Sequence, residues 1–183
     1  MSNVTLVIII VVAVVIVAAL VAFFVSRGRR AQQERQERAR EQFGPEYERT
    51  VQERGSERQA EKELRKRRER LEDEVQPLSE ESRKRYEERW LGVERTFVDD
   101  PQASLEEADR VVADILAERN FPTDSRQEAS KGVGVMHPQV VEDFREAQRV
   151  HRTATDSEGE AELEEMRRAI QMYRSVYERL MGG

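Results

Sequence analysis

Residues Val4 to Val25 form a run of 22 without a charge, a Pro or a Gly, and nothing else in the chain constrains its folding as strongly. Wound as a helix at ~1.5 Å per residue, the run covers roughly 33 Å, about the hydrocarbon thickness of a bilayer. A buried core helix fits it poorly. Val, Ile and Ala surround every face, and a helix with no polar side has nothing to show to water. The reading is a transmembrane helix at 4–25 preceded by a short tail at 1–3.

A cleaved secretory signal has a basic leading region, an apolar core of ~7 to 15 residues and a small-residue cleavage site. Here the first cation is Arg27 and the span is full length, so a retained signal anchor is expected. Arg27, Arg29 and Arg30 follow the run at once. The flank richer in Lys and Arg stays cytoplasmic, which places the N-terminus outside and the C-terminal part in the cytoplasm of a single-pass cell-membrane protein. The absence of cysteine excludes a disulfide framework, thiol catalysis and cysteine metal sites. The 27 Arg against 4 Lys reflect a GC-rich genome more simply than a function.

Residues 26–76 read as a charged helical stalk. Two stretches, 31–42 and 56–74, are rich in helix formers and set Glu and Arg three and four apart, which supports an exposed helix by ~0.2 to 0.5 kcal/mol per pair. Both are expected to be solvated helix rather than core. Gly44-Pro45 and Gly55 are the expected interruptions. Leu64, Leu71, Val75 and Leu78 recur at seven, four and three residues, a narrow apolar stripe for the globular part or, as a coiled coil, for a second copy of the chain in a homo-oligomer. The cations Arg65 to Arg68 and Arg70 invite a nucleic-acid reading, but Glu61, Glu63, Glu69 and Glu72 interleave them, so nucleic acid is not the expected partner.

Residues 77–183 read as a small antiparallel helical bundle, making the chain all-α. Tyr86, Trp90, Val93 and Phe97 fall on one helical face behind Ser79 as N-cap. Asp100 caps the next helix, Pro101 suits its first position, and Leu105, Ala108, Val111, Val112, Ile115 and Leu116 form its inner stripe. Asn120, with its tolerance of left-handed backbone, and Pro122 end it. Residues 123–136 are polar with Gly132 and Gly134 and read as a loop with a hinge. His137-Pro138 is expected to open a third helix, carrying Val140, Val141, Phe144, Ala147 and His151. The last, with Ser157 and Glu160 as a capping box, carries Leu163, Met166, Ile170, Tyr173, Tyr177 and Leu180. Aromatic residues at helical spacing are expected to pack as core rather than line a cleft.

Taken together, Pro77-Leu78-Ser79, Ser82-Arg83, Arg85-Tyr86, Trp90, Phe97 to Pro101, Ala108-Asp109, Phe121-Pro122, His137-Pro138 and Tyr173-Arg174 resemble a set of uncharacterised single-pass bacterial proteins, chiefly from GC-rich Gram-positive bacteria. The likeness covers most of residues 77 to 180. It implies a bacterial plasma-membrane location and supplies no catalytic residue.

No constellation declares a chemistry. The acidic doublets Asp99-Asp100, Glu87-Glu88 and Glu106-Glu107 are adjacent in sequence, and adjacent side chains on a helix do not face each other. His137 and His151 are too few for a metal site, no serine sits in a nucleophile elbow, and no cofactor motif is present. Arg83, Arg85 and Tyr86 are the one candidate edge for an anion or a partner. The competing expectation, preferred, is an internal fastener to the Asp99-Asp100 corner. The expected function is thus a non-enzymatic adaptor or scaffold, held to lipid by residues 4–25 and presenting its bundle to a protein partner. A regulatory sensor transmitting through the stalk is the alternative.

Overall fold

A computed structural model describes residues 16, 23, 33–153 and 160–182. The expected anchor lies outside these, apart from Ile16 and Phe23, both helical and about half exposed. Among the described residues no helix is long and apolar enough to cross a membrane. All regular structure among them is α-helical.

The chain divides into two compact units, Met1–Glu41 and Gln42–Gly183. In the first, residues 33–41 are helical (α1) and exposed except at Gln36 and Ala39. Arg38 folds back on Glu34, donating to its carbonyl at 3.1 Å, the one-turn pairing expected of a solvated helix.

The second unit starts well before the expected bundle. It holds α2 (Pro45–Arg54), α3 (Glu57–Glu74), α4 (Glu80–Thr96), α5 (Pro101–Glu118), α6 (Arg126–Met136), α7 (Val141–Thr153) and α8 (Glu160–Gly182). The reading of 56–74 as solvated helix is therefore corrected. Ala60, Leu64 and Leu71 of α3 are fully buried, and α3 packs on α2 and α6. Positions 60, 64 and 71 fall within a narrow arc of the helix, so a thin stripe is enough to dock a helix otherwise made of charge. Leu78 is buried and Val75 packs against the same core. Gly44 (φ 51°) and Gly55 (φ 65°) bracket α2 in left-handed backbone that side chains disfavour.

The caps expected at Ser79 and Asp100 are formed. Ser79 Oγ accepts from the Ser82 amide at 3.0 Å and Asp100 Oδ1 from that of Ala103 at 2.9 Å. Asn120 (φ 64°) closes α5. The expected loop at 123–136 is instead largely α6, started by Ser125, whose hydroxyl accepts from the Glu128 amide at 3.1 Å. Its glycines are contact surfaces rather than a hinge. A Cβ on Gly132 would stand 3.1 Å from Pro122, and one on Gly134 would stand 2.3 Å from Glu46 Cγ. His137-Pro138 does not open a helix: His137 closes α6, its amide donating to the Val133 carbonyl, and a turn leads to α7 at Val141. Ser157, the expected partner in a capping box, lies outside the described residues.

Helix α8 packs between α5 and α7, and α4 covers α5. Contacts fix the directions. Residues 82, 89 and 93 of α4 meet 118, 107 and 104 of α5, so those two are antiparallel. Asp109 meets Tyr173 and Arg119 meets Leu180, so α5 and α8 run the same way. Trp90 stacks on Tyr177 at 4.5 Å between ring centres, and Phe144 meets Tyr173 edge-on. Arg119, 5% exposed, donates to the carbonyls of Leu180 and Gln76 and so joins the end of α8 to the segment after α3.

Candidate functional site

The edge expected at Arg83, Arg85 and Tyr86 is turned to internal work. Arg85 Nη2 lies 2.5 Å from Glu118 Oε2, and its guanidinium stands over the Tyr86 ring at 5.0 Å. Tyr86, 3% exposed, donates its hydroxyl to the same carboxylate oxygen at 2.8 Å, and Ser82 donates to the other oxygen. Hydrogen bonds from Ser82 and Tyr86, together with the charge of Arg85, hold the Glu118 carboxyl below the usual carboxylate range. Burial, and then Glu118 itself, push the Tyr86 hydroxyl up. Arg83 donates to the Met181 carbonyl at the end of α8.

The preferred fastener therefore exists with a different partner. Asp99 and Asp100 stand at the turn between α4 and α5, Asp99 some 14 residues or roughly 21 Å of helix from Arg85, whereas the antiparallel return of α5 brings Glu118 level with it.

A second polar cluster joins four helices. Asp109 of α5 accepts both terminal nitrogens of Arg126 at 2.9 Å, accepts the Tyr173 hydroxyl at 2.7 Å, and has His151 Nδ1 at 3.6 Å. Burial and the neighbouring carboxylate push the Tyr173 phenol far above its ordinary range, so its hydroxyl stays protonated and donates. His137 stands elsewhere, at the α6–α7 turn, and its Nε2 is buried without a hydrogen-bond partner. No group of three or more His, Cys, Asp or Glu side chains among the described residues is arranged to hold a metal ion.

An open cleft of about 510 Å³ lies where α2, α6 and α7 meet. Every lining residue is polar or charged. Six are cationic: Arg49 from α2, Arg126 and Lys131 from α6, and Arg145, Arg149 and Arg152 from α7. Three are acidic, Glu53, Glu142 and Glu146. Behind the wall Arg145 is seated on Glu46, which is 1% exposed, and it also reaches Glu142 at 2.7 Å. Lys131 stands 3.7 Å from Glu53 and 3.4 Å from Glu128. Arg149 grips Glu146 through two nitrogens at 2.6 and 2.8 Å. Sequence reasoning passes over this cleft because two of its three walls, α2 and α6, read as stalk and loop. Nothing local in the sequence marks Glu46 as buried, since an acidic residue in the first turn of a helix is ordinarily solvated.

No family model matches the chain, and neither a curated protein nor a solved structure shows significant similarity to it. The class defined by the fold is an all-α helical unit.

Proposed function

We propose that the chain is a membrane-tethered, non-enzymatic adaptor. Residues 4–25 act as a single-pass anchor with the N-terminus outside, and the helical unit beginning at Gln42 is presented on the cytoplasmic side to a protein partner. The observation that carries this reading is the joining, in one chain, of a 22-residue run without charge to a compact unit holding 25 Lys and Arg against 34 Asp and Glu, a net −9. One solvent suits the run and another the unit. The resemblance of residues 77 to 180 to single-pass proteins of GC-rich Gram-positive bacteria points the same way.

Two features support presentation to a partner. The polar clusters at Glu118 and Asp109 are engaged in joining helices, while Leu91 and Val98, at a seven-residue spacing on α4 and its following turn, remain 48% and 82% exposed. Isolated exposed apolar side chains are common, and these two stand seven residues apart, Leu91 on α4 and Val98 in the turn after it, where an adaptor has a contact to use. Tethering multiplies a weak contact by effective concentration.

The test has two readings on the full chain in cells. Alkaline carbonate should leave the protein in the membrane pellet, and a photocrosslinker at Val98 should give a discrete adduct that disappears when residues 4–25 are replaced by a soluble linker. Release by carbonate removes the tether, and an adduct pattern indifferent to the linker removes the adaptor.

A further inference from the structure

We infer that the cleft between α2, α6 and α7 binds a compact phosphate-bearing anion, a phosphate monoester or a diphosphate. The inference does not depend on the adaptor reading, since the cleft belongs wholly to the second unit.

Charge is the first argument. The unit carries a net −9, yet the lining of the cleft gathers six cations against three carboxylates, while Glu46, Asp109 and Glu128 pair with Arg145, Arg126 and Lys131 from outside the lining. A concave surface on which cations outnumber carboxylates concentrates anions. The second argument is where the compensating carboxylates lie. Glu46, 1% exposed, and Asp109, whose side chain is 12% exposed, hold Arg145 and Arg126 from outside the lining, so they fix the guanidiniums without occupying the cleft. Side chains fixed in this way have already lost the rotamer freedom that ligand binding would otherwise take from them. Arg145 and Lys131 are only 16% and 17% exposed, so part of each cation is shielded from competing water.

The lining chooses the ligand class. It holds no apolar side chain, which disfavours greasy metabolites, and several of its cations are planar guanidiniums able to grip two oxygens at once. Ser130, buried and within 3.2 Å of Gln148, adds neutral hydrogen-bonding groups at the floor. A volume of about 510 Å³ admits a phosphate or diphosphate group with its hydration and is at the small end for a larger cofactor.

The test uses the full chain in nanodiscs of zwitterionic lipid, titrated with inorganic pyrophosphate by calorimetry. Saturable binding at one site with Kd below about 1 mM is expected, weakened about tenfold or more by Arg149→Gln and by Arg49→Gln. Both side chains are about half exposed, so these variants should fold as the parent does, which circular dichroism checks. Arg110→Gln, outside the cleft, should bind like the parent.

Absence of saturable binding, or binding untouched by both cleft variants, overturns the proposal and leaves the cleft as an ion-pair lattice. Repeating the titration on nanodiscs containing phosphatidic acid separates two sources of the same chemistry. Competition by the lipid in the parent but not in the variants assigns the headgroup, and unchanged affinity assigns a soluble phosphate compound; both outcomes support the cleft as the site.

Discussion

At the scale of single residues, two glycines of one sequence carry opposite expectations. Gly134 lies within α6 with Glu46 Cγ 2.3 Å from where a Cβ would stand, and Glu46 is 1% exposed and fixed by Arg145, so it has nowhere to retreat. Gly134→Ala should cost about 1 to 3 kcal/mol by overpacking. Gly92 in α4 has nothing within 4 Å, and there Ala should add about 0.5 to 1 kcal/mol through helix propensity. Urea unfolding of the two variants beside the parent decides both. His137 supplies a pH dependence. Burial, then the charges of Arg119 and Arg179, pull its imidazole from the ordinary 6.5 to about 4. Between those values the unfolded chain binds the proton and the folded chain does not, so this contribution lowers stability as pH falls from about 6.5 to about 4 and is absent above that window. The parent should therefore lose more stability than His137→Gln between pH 7.5 and 4.5, read as the shift in urea midpoint; parallel curves for the two would remove the effect.

At the scale of elements, what makes a helix visible in advance is whether its own residues state its ends and its buried face. Helices α4 and α5 do so through Ser79, Asp100, Pro101 and Asn120, and their apolar stripes are buried as read, except that Phe97 is only partly buried beyond the end of α4. Trp90 belongs to that stripe, is 4% exposed, and stacks on Tyr177, so Trp90→Ala should cost about 3 to 5 kcal/mol and broaden or abolish the cooperative transition followed by circular dichroism. A variant that unfolds like the parent would remove Trp90 from the core. Helix α6 was illegible for a physical reason. Its two glycines lower intrinsic helicity, and what compensates is close approach to Phe121, Pro122 and Glu46, partners that local sequence does not reveal. Helix α3 was legible in part: the stripe through Leu64 and Leu71 is buried as one of its two readings had it, on the globular part, but among so many charges the helix as a whole still reads as solvent-facing until α2 and α6 pack on it.

At the scale of the whole molecule, the unit boundary after Glu41 makes a prediction that the expected stalk boundary at residue 76 does not. A fragment starting at Gln42 should unfold cooperatively. One starting at Pro77 strips α2 and α3 from α6, exposes the surface that covered Ala60, Leu64 and Leu71, and should unfold at a lower urea concentration while binding a dye for exposed apolar surface. Equal midpoints for the two fragments would return α2 and α3 to a detached stalk. The candidate site divides along the same line. Arg85 and Tyr86 could be read as a fastening pair, because neighbours on one helix declare themselves, but Glu118 as their partner follows only from the antiparallel return of α5. The cleft could not be read at all, since its cations are separated by up to 103 positions, from Arg49 to Arg152. Sequence by itself determined the helical class, the caps and stripes of α4 and α5, and the 22-residue run without charge, because periodicity and local hydrogen bonding are short-range. Only the tertiary structure decided which carboxylate meets which guanidinium and where a small residue stands in for a hinge, because those depend on side chains that chain separation keeps apart until the helices pack.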